Sequence, residues 1–238
     1  MKRIAIGVGK NENIIQACHI FKEKHPKTDV ILIYSDEDLI KAVLDKKIDA
    51  VIRGSLPASN IISKLKEQYP TLSRATYVNN GETEFLLTPV GIDEGNSVED
   101  RFRMTMNCVD FLKQVDKTPK IAILAEGRKD DFGRDSIVSN SIKESRKLTK
   151  LIEENTDEDV TNYHILIEKA IQDKCNIIIA PNGRVGNIIF RTMVLLNSWP
   201  SYGAVTFGMD RVYIDTSRDQ SIEGYIRSLI LAEELIEQ

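Results

Sequence analysis

The sequence predicts an α/β fold, a three-layer sandwich on a mainly parallel sheet, and three observations predict it. Short apolar runs at residues 3–8, 29–34, 49–53, 120–125 and 176–180 alternate with stretches of helical periodicity. Positions 30–33 are apolar without a break, as in a strand covered on both faces. The 238 residues are 42% hydrophobic and 29% charged, ample for a large core. The linker-like Lys117-Thr118-Pro119 and a late strand at 212–215 imply two domains around a cleft. They are residues 1–117 with 212–238, and an inserted second α/β domain, 118–211.

Taken in order, residues 3–8 are the first strand, and Gly7 and Gly9 turn the chain into a helix over 11–24. Its apolar stripe is Ile14, Ile15, Cys18 and Phe21. The turn lacks the third glycine of a dinucleotide fingerprint, Glu12 standing in its place, and reads as a plain tight corner. Ser35 with Asp38 three residues on forms a capping box for a helix running to about residue 46. The strand at 49–53 ends in Arg53-Gly54-Ser55, and a helix with Pro57 in its first turn follows to residue 69.

Asn79-Asn80-Gly81 between two β-prone runs, 74–78 and 85–90, predicts a hairpin. Ser97 and Asp100 cap a helix over 97–115. After the strand at 120–125 comes a polar loop, 126–135, long for a mere connection and therefore a candidate ligand loop through Arg128 and Arg134. Helices are expected over 136–153, 160–173, 186–197 and 219–237, and strands at 176–180, 202–207 and 212–215.

Composition excludes several classes. With 32 basic and 36 acidic residues the net charge is -4, so no basic field exists to draw in nucleic acid. The basic run at 143–150 reads as a solvated helix face. No apolar run approaches the ~20 residues that cross a bilayer, so no membrane partner is expected. Cys18, Cys108 and Cys175 are odd in number and widely spaced, which points to buried reduced thiols in a cytoplasm. Three scattered histidines give no metal site.

The chemistry concentrates between residues 175 and 221. The strand at 176–180 stops at Pro181-Asn182-Gly183 with a helix after it, and Thr216-Ser217-Arg218 joins a strand to the last helix. Helix starts present unpaired N–H groups and a positive dipole end, so two such corners, one glycine-bearing and one with serine and arginine, point to a small phosphate-containing ligand. Ser55 and the N–H groups beside Gly54 form a third corner, and a simple N-cap accounts for Ser55 equally well. Ser217 with Gln220 also reads as an N-cap box, which an anion site at the same helix end would share.

These segments match a known family. NIIIAPNGRVGN at 176–187 resembles the strand–PN–loop–GN segment of the phosphate acetyl- and butyryltransferases, and TSRDQSIE at 216–223 is similar to the TSRxxSxE stretch of the butyryltransferase branch. Residues 3–17 and 49–55 look like that family's first strand–helix unit and its DGxVSG corner. Within it, the chain resembles a shorter archaeal branch from methanogens, marker protein 4, labelled methyltransferase Mtx subunit X.

The resemblance implies the two-domain isocitrate/isopropylmalate dehydrogenase fold, a homodimer, and coenzyme A as carrier of an acyl thioester that exchanges with phosphate in the cleft. Ser217 and Arg218 would hold the phosphate or acyl phosphate, and Asn182, Gly186 and Asn187 would shape the pocket floor. The family's general base, seven positions after the serine, is replaced here by Gly224, leaving Glu223 as substitute about 100° away around the helix. Arg53, where relatives often carry serine, adds a cation beside the expected phosphate. The alternatives are a methyltransferase subunit acting with a methyl-carrier partner, and a non-catalytic binder of a phosphometabolite.

Overall fold

The computed structural model describes residues 1–237. The chain forms two compact units: Met1–Ser73 together with the chain from Pro200 onward, and Arg74–Trp199. The exchange points lie at 73/74 and 199/200, where the sequence placed them at 117/118 and 211/212. The reason is packing: the helix Val98–Gln114 rests on the strand Ile177–Ile179 and the helix Ser136–Asn155, all of the second unit.

The first unit carries β1 (Lys2–Gly7), β2 (Thr28–Ile33), β3 (Ala50–Ile52), β9 (Ser201–Phe207) and β10 (Val212–Asp215). Their order is β2-β1-β3-β10-β9, parallel except for the β10–β9 pair. Its helices are α1 (Asn13–Lys24), α2 (Asp36–Leu44), α3 (Ala58–Gln68) and α8 (Ile222–Leu235). Strand side chains alternate between faces. Ala5, Val51 and Tyr213 pack on Leu39, Ile61 and Leu65 of α2 and α3. The alternate residues Ile4, Ile6, Ile52 and Ile214 are equally buried, on the side where α8 lies against the strands and α1 against α8. That arrangement is three-layered, with helices on both faces of one sheet. At its edge, β2 is buried at Thr28 and Val30 and half-buried at Asp29 and from Ile31 to Ile33, so it stays partly open, unlike the full coverage expected from its apolar run.

The second unit holds β4 (Ser73–Asn79), β5 (Glu84–Thr88), β6 (Lys120–Leu124), β7 (Asp159–His164) and β8 (Ile177–Ile179) in the order β4-β5-β8-β6-β7. The β4–β5 hairpin is antiparallel and turns at Gly81, whose φ of 89° suits glycine. The other pairs are parallel. Around them lie α4 (Val98–Gln114), α5 (Ser136–Asn155), α6 (Ile167–Gln172) and α7 (Gly183–Phe190), the last continued by a π-helical turn, Arg191–Leu196.

Three expectations are corrected. Residues 160–173 do not form one helix. Asp159–His164 is the edge strand β7, paired with β6, and only Ile167–Gln172 is helical. The helix expected from 186 starts at Gly183, because the Asn182 side chain accepts the Val185 N–H at 3.0 Å and caps it. The last helix starts at Ile222, not 219, and its cap is Ser221 rather than Ser217: the Ser221 hydroxyl accepts the Gly224 N–H at 3.1 Å. The boxes at Ser35 and Ser97 hold as read, each accepting the N–H three residues on. No helix among the described residues is long and apolar enough to cross a membrane.

Candidate functional site

In the first unit, the parallel strands β1, β3 and β10 lie side by side and end at the same edge, where the predicted residues Arg53, Gly54, Ser55, Ser217 and Arg218 are brought onto neighbouring loops. The loops are woven together. Gly54 has φ 66°, and a Cβ there would sit 1.8 Å from the Gly7 carbonyl oxygen, so only glycine fits the crossing. The Ser55 N–H donates to that same carbonyl at 3.0 Å, and the Ser55 hydroxyl accepts the Gly9 N–H at 2.8 Å. Ser55 is therefore a tie between the loops after β1 and β3. It is not the cap of α3, which starts behind Pro57.

Arg53 has a different task from the one read in the sequence. It is 5% exposed, and all three guanidinium nitrogens have protein partners: Nε the Asp215 carboxylate, Nη1 the Leu56 carbonyl and Nη2 the Thr216 carbonyl. Its charge is neutralised by Asp215, and its donors fasten the end of β3 to the end of β10. Thr216 completes the joint by donating its hydroxyl to the Gly54 carbonyl at 2.8 Å. A cation buried and paired in this way is a structural joint.

Arg218 is the opposite case. It lies on the exposed turn between β10 and α8, and its guanidinium has no partner among the described residues. Its backbone, however, is fixed: its carbonyl accepts from Asn11 Nδ2 at 2.9 Å and from the Tyr225 hydroxyl at 3.2 Å. Tyr225 also donates to the Ser217 carbonyl at 3.2 Å, and burial pushes its phenol up to about 12, so it remains a donor. Sequence reasoning missed Asn11, Tyr225 and Lys10, the last a second exposed cation without a partner among the described residues, one residue before Asn11. A lysine directly after a Gly-x-Gly turn was the available signal.

Gly224 stands where the resemblance implies an acidic residue. A Cβ there would meet the Gln220 carboxamide at 2.6 Å, so that amide occupies the space of the missing acidic side chain. Gln220 is 4% exposed and its Nε2 has no hydrogen-bond partner among the described residues. Glu223 is exposed, and its own N–H and the Ser221 hydroxyl hold its carboxyl below the usual range, which weakens it as a base. The cysteines offer no alternative: all are buried, and burial pushes Cys18 up to about 12 and Cys108 and Cys175 up as well.

In the second unit, Asn182, Gly186 and Asn187 act together to seat α7 on the segment after β5. A Cβ on Gly186 would lie 1.9 Å from the Pro89 carbonyl oxygen, and Asn187 Nδ2 donates to the Val90 carbonyl at 3.1 Å. Gly183 donates to the Glu94 carbonyl at 3.1 Å, and Asn182 Nδ2 donates to Glu126 at 2.6 Å. Arg101, also missed, is buried with its Nη1 on the Pro181 carbonyl and its Nη2 2.7 Å from Glu144. Of the loop arginines, Arg134 pairs with Asp131 at 2.6 Å, while Arg128 is exposed with no side-chain partner among the described residues.

No family model matches the sequence. Among named proteins, the chain is 36% identical over 234 residues to "Uncharacterized methyltransferase MJ1371" of Methanocaldococcus jannaschii, covering 94% of each. It is 34% identical over 197 residues to a Methanosarcina barkeri protein provisionally named methyltransferase mtx subunit X, covering 80% of this chain and 72% of that one. Among solved structures, a branched-chain phosphotransacylase from Enterococcus faecalis V583 superposes over 100% of both chains with a TM-score of 0.73 at 16% identity. A 4-hydroxythreonine-4-phosphate dehydrogenase from Klebsiella pneumoniae gives 0.65 at 12% identity, covering 99% of this chain and 100% of that one. A β-decarboxylating dehydrogenase from Thermococcus kodakarensis gives 0.61 at 12% identity, covering 100% and 83%. At such identities the structures establish the shared phosphotransacylase and dehydrogenase fold and nothing finer. The sequence relatives go further: the chain belongs to the methanogen family named for methyltransferase mtx subunit X.

Proposed function

We propose that this protein is a phosphate acyltransferase-like transferase that binds phosphate or an acyl phosphate at the ends of β1, β3 and β10. The observation that carries the reading is Arg218: exposed, without a carboxylate, and held in place through its carbonyl by Asn11 and Tyr225. Its planar fork suits two phosphate oxygens at once. Ser217 beside it, Lys10 on the adjoining loop and the unpartnered amide of Gln220 add donors.

The reaction is acyl exchange with coenzyme A as thiol carrier. A phosphate oxygen attacks the thioester carbonyl, the carbon–sulfur bond breaks as the carbon–oxygen bond forms, and the proton shed by phosphate ends on the departing thiolate. Phosphate is the nucleophile in this direction, so the weakly basic Glu223 has no thiol to deprotonate. Positioning and charge stabilisation carry the rate.

A second reading, a methyltransferase subunit served by a partner that carries the methyl group, is favoured by the names of the sequence relatives. The deciding experiment follows thiol release from acetyl-, propionyl- and butyryl-coenzyme A in phosphate buffer, with wild type and Arg218→Ala. Release by wild type that disappears in the variant supports acyl transfer. No release from any thioester sinks it. If phosphate then still raises the melting temperature of wild type alone, a non-catalytic binder remains.

The protein acts as a homodimer in this proposal, joined through the apolar surface of α7 and its π-helical extension. Ile188 is 65% and Leu196 76% exposed there, and Arg191 is the only charge between Val185 and Leu196. Sedimentation of Ile188→Glu at a concentration where wild type is dimeric should give a monomer.

A further inference from the structure

At the edge of the first unit, β2 lies parallel to β1 and the two strands end together. Gly7 pairs with Ile33, and the Val8 N–H donates to the Ile33 carbonyl at 2.6 Å, which sets Val8 beside Tyr34. Tyr34 thus stands where the loop 8–11 begins. That loop carries the exposed Lys10, and Asn11 Nδ2 ties it to the Arg218 carbonyl at 2.9 Å and the Gln220 carbonyl at 3.0 Å. One short run of backbone therefore joins Tyr34 to the turn that holds Arg218.

Tyr34 is 66% exposed, and its ring and hydroxyl meet no partner among the described residues. Of the chain's seven tyrosines it is alone in this. The others are buried or partnered, Tyr69 by Asp210 at 2.9 Å and Tyr163 by Asp173 at 2.8 Å among them. Charge also changes sign along this edge. Lys10 and Arg218 stand on the loops after β1 and β10, whereas Tyr34 is followed by Asp36, Glu37 and Asp38 in the first turn of α2. An anion is drawn to the first end and repelled from the second, where an open aromatic face suits an uncharged ring. From β2 to β10 the sheet steps across β1 and β3, three strand spacings or roughly 14 Å. Free phosphate fills one end of such a run, and a nucleoside phosphate spans it.

We infer that this edge takes a nucleoside phosphate lying across the strand ends, its phosphate on Lys10 and Arg218 and its base stacked on Tyr34. Ligands of open parallel sheets lie outside the carboxyl ends of the strands, as this one does. Stacking accepts any planar base, so Tyr34 selects for a ring and not for one base. The inference rests on Arg218 as an anion site and extends it: a nucleotide there occupies the phosphate position and competes with phosphate.

Inorganic phosphate, pyrophosphate and adenosine diphosphate are titrated calorimetrically into wild type, Tyr34→Phe, Tyr34→Ala and Arg218→Ala. Pyrophosphate supplies the two phosphates without the ring. Adenosine diphosphate should bind at least about fivefold tighter than pyrophosphate, an advantage kept in Tyr34→Phe and lost in Tyr34→Ala. Phosphate should bind Tyr34→Ala as it binds wild type, which shows that the site is intact, and all three ligands should weaken about tenfold or more in Arg218→Ala. Arg218-dependent phosphate binding with no advantage for the nucleotide, or an advantage that survives Tyr34→Ala, overturns the inference and leaves the anion site standing. No saturable binding of any ligand, or binding indifferent to Arg218→Ala, overturns the anion site and the inference together.

Discussion

The joint at the end of β3 and the turn after β10 lie in the same unit, one arginine apiece, and they use that arginine in opposite ways. Arg53 is buried, neutralised by Asp215 and bonded at each guanidinium nitrogen. Arg218 is exposed and unpaired among the described residues, with only its backbone fixed. An arginine at a strand end is therefore no evidence of a ligand site by itself. What matters is whether the fold has already supplied its carboxylate and carbonyl partners. Arg101 in the second unit belongs with Arg53, buried with its guanidinium on the Pro181 carbonyl and Glu144.

The comparison breaks first, and with the largest effect, at Arg53. Arg53→Met removes one half of a buried pair and leaves Asp215 without its cation, which should cost about 3–5 kcal/mol of unfolding free energy in urea titrations. A loss under about 1 kcal/mol would mean that the pair is not a structural joint. Gly54→Ala comes next. It meets both a positive φ and a carbonyl oxygen 1.8 Å from the new Cβ, and should cost about 2 kcal/mol or more. Gly81→Ala is the control, since its φ is also positive but nothing lies within 4 Å; it should cost only about 1 kcal/mol. Equal losses at the two glycines would show that backbone conformation, rather than the crowding of the woven loops, sets the cost.

A smaller effect is expected at Glu233. Burial alone would raise its pKa, but bonds from Thr28 and His25 and the charges of His25 and Lys2 outweigh burial and hold its carboxyl below the ordinary value of 4.5. A carboxylate with a folded-state pKa below its unfolded one contributes stability that is complete above the unfolded value and is lost as pH falls through the folded one. Melting temperatures should therefore drop more steeply below about pH 4.5 for wild type than for Glu233→Gln. Parallel curves would remove the pair from the account of acid stability.

How much of this was legible in the sequence depends on the range of the interaction. Ser35 and Ser97 were read correctly because a capping box spans three residues and signals itself. The Asn-Gly hairpin was read for the same reason. Strand β7 was missed because its apolar content is low, as an edge position permits, and the run at 160–173 then looks helical. Ser217 was mistaken for the cap of α8 because Ser221 offers the same chemistry four residues later; Tyr225 and Asn11 fix the intervening turn, the latter from more than two hundred residues away. The fate of Arg53 was likewise unreadable, since Asp215 lies 162 residues along the chain. Residue types at the strand ends were visible, but their partners were not.

The smallest effect on the fold is expected where the functional effect is greatest. Arg218→Ala removes an exposed side chain with no partner among the described residues, so unfolding in urea should match wild type to within about 0.5 kcal/mol. Tyr225 and Asn11 hold the turn through the carbonyl of residue 218, which the substitution keeps. The turn should thus remain in place without its cation. Phosphate protection in thermal melts should then weaken by about tenfold or more, the cost of one charge-assisted bond. If Arg218→Ala instead loses stability in the absence of phosphate, the guanidinium has a structural partner and the contrast with Arg53 collapses. If neither stability nor protection changes, the anion rests on Lys10 and Ser217, and the same pair of measurements on Lys10→Ala would separate those two.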